Sequence, residues 1–241
     1  MLEKYINYLV EWIREKVSKA GASGVVFGIS GGIDSAVVAN LAKLAFPNDH
    51  LGIYMPCQSS QLDQKCFAEL IEKNKIKNTI IDIEEIYNLF LEQNAGFDLS
   101  KLAKGNTKAR LRMTVLYGVG QTRKYLVLGT DNAPEWYLGY FTKFGDGGVD
   151  LLPLVNLLKR QVKEIATILN VPEIIINRQP TAGLYEGQTD ENELGFSYNE
   201  IDNYLEGKEV NPEVVKKIKD LHQKSAHKRQ PAPSPKKIDE V

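Results

Sequence analysis

The segment Gly28-Ile29-Ser30-Gly31-Gly32-Ile33-Asp34-Ser35 concentrates the groups best suited to chemistry in this 241-residue chain. A glycine pair there lets backbone N–H groups close on an anion, and a helix beginning at once adds a favourable dipole. Ser30 and Ser35 supply hydroxyl donors. The form is a phosphate cradle, but not either of two common ones. No Gly-x-x-x-x-Gly-Lys-Ser/Thr occurs in the chain, and Ser30 stands where the dinucleotide fingerprint needs its second glycine. Asp34 is the odd residue. A carboxylate beside a polyphosphate repels it unless a divalent cation intervenes, and Mg2+ binds in that way, through one or two carboxylates plus phosphate oxygens. An Asp at a helix start also serves as a plain cap. From the residues alone both roles stay open.

Such a loop needs a strand before it and a helix after it. Four β-branched runs, Val25–Ile29, Leu51–Tyr54, Thr79–Ile83 and Tyr125–Leu128, lack strict alternation and read as strands covered on both faces. Helical patterns separate them: Ser35–Leu44, Leu62–Glu72 and Glu84–Leu91, with Leu2–Val17 ahead placing Ile6, Leu9, Val10, Ile13 and Val17 on one stripe. Strand then helix, repeated, predicts an α/β fold with a doubly wound parallel sheet flanked by helices. The chemistry then belongs in the loops beyond the carboxyl ends of the strands. The stretch Asn106–Thr122 is apolar nearly all round after Arg112, so it either crosses the middle of the domain or packs against a second subunit. Gly118 and Gly120 would allow close backbone approach there. After Asp150 the patterns give a helix over Leu158–Leu169, an extended piece with Pro172 and Pro180, a polar loop over 183–192, and helices over Tyr198–Leu205 and Pro212–Ser225. One domain over 1–229 and a proline-rich mobile tail over 230–241 is the expected division.

Composition narrows the classes. A net charge of −1 gives no global attraction to nucleic acid or an anionic membrane. The longest apolar runs are far too short to span a bilayer, and acidic residues interrupt the start too early for a signal peptide. Cys57 and Cys66 alone cannot build a zinc-type site; they read as free thiols in a reducing cytoplasm.

Ser30-Gly31-Gly32-Ile33-Asp34-Ser35 after a strand resembles the pyrophosphatase loop of the N-type ATP pyrophosphatases, enzymes that cleave ATP between the α and β phosphates and pass AMP to an oxygen of the substrate. Further segments match the ammonia-dependent NAD synthetase family in sequence and order. They include Gly105-Asn106-Thr107-Lys108-Ala109-Arg110, Gly129-Thr130-Asp131-Asn132, Phe141–Gly148, Pro180-Thr181-Ala182-Gly183-Leu184, Gly187–Glu191 and His227-Lys228-Arg229. The resemblance implies an adenine nucleotide alpha hydrolase-like fold and a set of roles. Gly28–Ser35 would hold the ATP phosphates, Asp34 and Glu135 would ligate Mg2+, and Thr130, Lys159 and Thr181 would contact ATP. Arg110, Lys143, Asp150, His227 and Lys228 would bind deamido-NAD (nicotinic acid adenine dinucleotide), and Asp146 would help receive ammonia.

Some of these residues have plain alternatives. Glu135 also suits a helix start after Pro134, and Lys159 a solvated helix position. His227-Lys228-Arg229 could be a basic tail for nucleic acid, although the near-neutral charge speaks against it. Pro134 departs from the residue expected there and would shift Glu135 slightly. In the implied reaction the nicotinate carboxylate attacks the α-phosphorus, an acyl-adenylate forms, and ammonia displaces AMP. Glutamine-dependent members carry a large amidase domain ahead of the first strand; few residues precede it here, so free ammonia is the expected donor. Family members are homodimers whose dinucleotide site draws on both subunits. A tRNA-modifying enzyme on the same fold is the alternative, and it would call for a well-placed Cys pair or a basic RNA-binding domain.

Overall fold

The computed structural model describes residues 1–181 and 189–238, so the expected polar loop over 183–192 lies largely outside the described residues. Four parallel strands form one sheet in the order β3-β2-β1-β4: β1 (Gly24–Ile29), β2 (His50–Tyr54), β3 (Asn78–Ile80) and β4 (Tyr125–Leu128). Val26 pairs with Leu51 on one side and Val127 on the other, which fixes the register of the sheet centre. β1 and β2 are buried on both faces, as their unbroken apolar runs require. β3 is shorter than expected and largely exposed, because it lies at the edge of the sheet and has a neighbour only in β2. Beyond Ile80 the chain bends, keeping single bonds from Ile81 N to Tyr54 O and Ile83 N to Pro56 O.

Helices α1 (Leu2–Lys19), α2 (Ile33–Ala45) and α7 (Lys159–Ile168) cover one face of the sheet. The five α1 residues expected on one stripe are all buried there. On the other face lie α4 (Glu84–Gln93) and α5 (Lys101–Arg123), while α3 (Gln61–Asn74) follows β2. Helix α5 begins five residues before the expected Asn106, because Ser100 caps it by accepting from Ala103 N at 3.2 Å. A smaller third cluster joins α6 (Ala133–Leu138), α10 (Tyr198–Leu205) and α11 (Pro212–Lys224) around Ile201 and Ile218. Two very short helices, α8 (Glu173–Ile176) and α9 (Asp190–Leu194), complete the set among the described residues. Residues 230–238 are exposed, and no helix of the described residues is long and apolar enough to cross a membrane.

Burial of α5 within the chain decides against one of its two expected placements, the crossing of the domain's middle. The helix is not enclosed all round: Gly105, Lys108, Ala109, Leu116 and Gly120 form its buried stripe, while Arg110, Thr114 and Gly118 lie on an exposed one. Its apolar side residues, among them Leu111, Val115 and Val119, are half-buried under the chain's own second core. Of its two glycines only Gly120 serves close approach: a Cβ there would meet Tyr125 O at 3.0 Å and Val26 Cγ1 at 3.2 Å, whereas Gly118 faces open space.

Candidate active site

A cavity of about 390 Å3 opens at the carboxyl ends of β1, β2 and β4. Strand order reverses between β1 and β4, so their exits diverge and leave a crevice, the usual ligand position in open α/β sheets. The exit of β1 is the glycine-rich loop. Every residue of Gly28–Ser35 except Gly31 lines the cavity. Gly31 is buried with φ +82°, and an added Cβ would lie 3.1 Å from Asp63 O and 3.2 Å from Arg178 Nη1. A side chain is thus excluded by backbone conformation as well as by space. Ser35 Oγ donates to Gly32 O at 2.9 Å and accepts from Ser30 N at 3.2 Å, which ties the loop to the first turn of α2.

Asp34 does not cap α2. The N-cap is Gly32, and the Asp34 carboxylate reaches across the crevice instead. Its Oδ1 accepts from Asn132 Nδ2 at 2.9 Å, and its Oδ2 from Lys159 Nζ at 2.6 Å. The exit of β4 provides the opposite wall. Asn132 and Glu135 form a reciprocal capping box at the start of α6, with Glu135 N to Asn132 Oδ1 and Asn132 N to Glu135 Oε2 both at 3.1 Å. Pro134 falls in the first turn of that helix, where a missing N–H costs nothing, so it does not displace Glu135. Glu135 therefore fills both roles at once. One oxygen caps the helix, and the other, Oε1, accepts from Lys159 Nζ at 3.2 Å.

Lys159, at the start of α7, is thus an ammonium held between two carboxylates from different strand exits. Burial alone would lower its pKa, but Asp34 and Glu135 together outweigh burial and raise it. The Glu135 carboxyl is pushed up to about 7, chiefly by burial and further by Asp34, with Lys159 opposing. Both carboxylates converge on one cation position. No group of three or more His, Cys, Asp or Glu among the described residues makes a metal cage. Two carboxylates beside a phosphate cradle fit Mg2+, which takes few protein ligands and completes its shell with phosphate oxygens and water.

That titration predicts a binding effect. Below about pH 7 Glu135 in the free protein carries a proton that a metal ligand must lose, so MgATP affinity should rise with pH toward 7 and level off above it. Calorimetric titration from acid to mildly alkaline pH checks the sign, and Glu135→Gln should flatten the dependence. A wild-type affinity that falls as pH rises toward 7 would refute it.

Thr130, Thr181, Asp146 and Lys228 also line the cavity. The Asp146 carboxylate accepts from Thr142 N at 3.0 Å and so holds the Gly-rich turn at 142–148. Lys228 Nζ donates to Gly139 O at 2.8 Å and Phe141 O at 2.7 Å. Arg110, Lys143, Asp150 and His227 do not line it. The first, second and fourth form one chain of contacts: Arg110 Nη2 to Lys143 O at 3.3 Å, then Lys143 Nζ to His227 O at 2.7 Å. Asp150 is tied to Tyr117 OH at 3.0 Å and to Val127 N at 2.8 Å.

Several groups lining the cavity or bonded to its lining escaped sequence reasoning. Tyr198 is buried, with its hydroxyl 2.9 Å from Asp190 Oδ2 and 3.2 Å from Glu135 Oε1. Asp131 is buried against the cavity with no hydrogen-bond partner for Oδ2, and burial, then Asp146, Glu135 and Asp34, raise its pKa. Arg178 pairs with Asp63 at 2.5 Å and donates to Gly31 O at 3.2 Å. For Asp131 a signal existed, since it lies inside the quoted segment Gly129-Thr130-Asp131-Asn132; Tyr198 and Arg178 lie outside the quoted segments.

The chain can now be set beside known proteins. A family model described as NAD synthase matches residues 5–232. The NH(3)-dependent NAD(+) synthetase of Mesoplasma florum is 57% identical over 240 residues, covering 98% of each chain. NMN synthetase from Francisella tularensis superposes with a TM-score of 0.94 at 44% identity, covering 98% of both chains. NH3-dependent NAD synthetase from Campylobacter jejuni does so at 0.84 and 30% identity, covering 98% of this chain and 100% of that one. A cradle carrying Asp34, faced by a capping Glu135 and a shared Lys159, thus lies in a chain matched along nearly its whole length, and this chain belongs to the NAD synthase family.

Proposed function

We propose that the chain catalyses the ATP-dependent amidation of deamido-NAD by ammonia, giving NAD+, AMP and pyrophosphate. The observation that carries this reading is the convergence of Asp34 and Glu135 on one cation position beside the glycine-rich loop. Backbone N–H groups of Gly28–Ser35 hold the ATP phosphates, with Thr130, Lys159 and Thr181 around them. Mg2+ at Asp34 and Glu135 would neutralise charge on the departing pyrophosphate. Lys159, which holds both carboxylates here, would add positive charge beside that position. The work of the chain is alignment and charge stabilisation, and no covalent protein nucleophile is needed. Assay of AMP, pyrophosphate and NAD+ from ATP, deamido-NAD and ammonium tests the reading; no ammonium-dependent NAD+ would end it. The two cysteines are free and buried, which supports a cytoplasmic setting.

Arg110, Lys143 and His227 serve the dinucleotide from outside the cavity, and a second subunit completes that part of the site. Support comes from an apolar patch at the α4–α5 edge: Ile86, Leu89, Phe97 and Leu102 are 53%, 56%, 76% and 66% exposed. The face of α5 carrying Val115 is covered within the chain, so a charge there would test folding instead. Leu89→Asp, away from the cavity, should turn a dimer into a monomer in sedimentation at micromolar concentration and lose activity together with it. A fully active wild-type monomer would refute the proposal.

A second reading concerns substrate length. The likeness to an NMN synthetase, at TM-score 0.94, favours trying the mononucleotide acid as well. Comparison of kcat/KM for nicotinic acid mononucleotide and deamido-NAD decides it. The Arg110, Lys143 and His227 group, lying outside the cavity, matters only for the longer substrate. Arg110→Ala should therefore raise KM for deamido-NAD about tenfold and leave the mononucleotide unaffected. Equal losses for both would remove Arg110 from the site.

A further inference from the structure

Four cationic side chains line the cavity among the described residues: Arg112, Lys159, Arg178 and Lys228. Three are engaged. Lys159 sits between Asp34 and Glu135, Arg178 pairs with Asp63, and Lys228 donates to two backbone carbonyls. Arg112 differs. Its Nε donates to Met55 O at 3.2 Å, at the end of β2, and its two terminal nitrogens make no hydrogen bond or ion pair among the described residues.

Helix phase explains why this side chain faces inward. Residues two apart on an α-helix point roughly 200° apart, so Arg110 and Arg112 cannot serve the same space. Ala109, Arg112, Met113 and Leu116, spaced three or four apart, are the face of α5 that lines the cavity, whereas Arg110 is exposed. Leu116, one turn on, lies against Gly28 at the start of the phosphate loop: a Cβ on Gly28 would come 3.9 Å from Leu116 Cδ1 and 3.4 Å from Met55 Cε. Arg112 is thereby held at the exits of β1 and β2. The oppositely charged or ionisable groups facing it are Cys57, Asp146, Asp63 and Tyr54, and none pairs with it. Burial dominates its surroundings and lowers its pKa. A half-buried guanidinium with no anion is costly, and its open fork suits a carboxylate or phosphoryl group in bidentate geometry.

We infer that Arg112 is an oxyanion-binding residue of the adenylation step, its free N–H fork receiving either the carboxylate of the acid substrate or phosphoryl oxygens of ATP. This deepens the proposed function and rests on it for the identity of the two ligands. Arg110, exposed and outside the cavity, bears no such cost; Arg112 does. With an anion in place, Arg112 and Lys159 contribute positive charge from α5 and α7, on opposite faces of the sheet.

The test is binding, measured separately for MgATP and for deamido-NAD in the absence of the other. Arg112→Gln keeps an N–H for the Met55 carbonyl and removes the charge and the fork. It should weaken one ligand at least about tenfold, as loss of a charge-assisted bond does, and leave the other within about twofold. Loss for MgATP identifies the phosphoryl source, and loss for deamido-NAD the carboxylate. Arg112→Lys should recover part of the loss and no more, because it restores charge without the planar fork. Unchanged affinity for both ligands, or an equal loss for both, overturns the inference. A measurement on the wild-type chain stands beside it in case the variant fails to fold. Modification of Arg112 by a dicarbonyl reagent, mapped by mass spectrometry, should be rapid in the free protein and blocked by one of the two ligands. Absence of protection by either also overturns it. Wild-type protein that binds both ligands but forms no NAD+ with ammonium would sink the activity and leave the Arg112 result standing.

Discussion

Asp34→Asn should lower turnover by roughly 10²-fold or more while the protein stays folded. The variant is isosteric, and Asp34 is not the cap of its helix, so the first turn of α2 loses nothing. What changes is the crevice. Lys159 loses one of its two carboxylates, and the cation position loses the only ligand supplied by the phosphate loop. With one carboxylate left, Mg2+ should bind more weakly, so the Mg2+ concentration for half-maximal rate should rise along with the fall in kcat. Steady-state rates of AMP release across a Mg2+ titration, with a thermal melt to confirm folding, measure both. Near-normal AMP production would remove Asp34 from the chemistry and with it the proposed metal position.

Ammonium should support NAD+ formation faster than glutamine by orders of magnitude. Releasing ammonia from glutamine in the chain itself would need an activated nucleophile, and the natural candidates are withdrawn. Cys57 and Cys66 are 3% and 0% exposed, and burial pushes both thiols up, away from the reactive thiolate. At fixed total ammonium the rate should climb with pH as the free base grows, since only unprotonated ammonia has a lone pair for the acyl carbon. Rates with rigorously ammonium-free glutamine that equal those with ammonium would sink this expectation.

Much of the frame was legible along the chain because its causes are local. β1 and β2 read as strands since apolar residues on both faces of a covered strand leave an unbroken run. The glycine-rich loop read as an anion cradle since its chemistry lies in eight consecutive residues. Caps are local too: the Ser100 cap sets the start of α5 ahead of the apolar pattern, and α6, only six residues long, shows in the sequence by its Pro134–Glu135 start alone. Periodicity needs more than two turns to show.

The site itself was decided in three dimensions. Asp34 and Lys159 are separated by 125 positions, and Asp34 and Asn132 by 98; only the reversal of strand order between β1 and β4 brings them into one crevice. Helix phase was undetermined for the same reason. Lys108-Ala109-Arg110-Leu111-Arg112 offers cations on several faces, and which one meets the cavity depends on how α5 seats on the sheet, where Gly120 lets it approach β1 and β4 closely. By itself the sequence determined the strand–loop–helix units and the kind of chemistry their residues can do. Which charges face one another followed from packing alone, because a buried charge has its partner chosen by the geometry of distant elements.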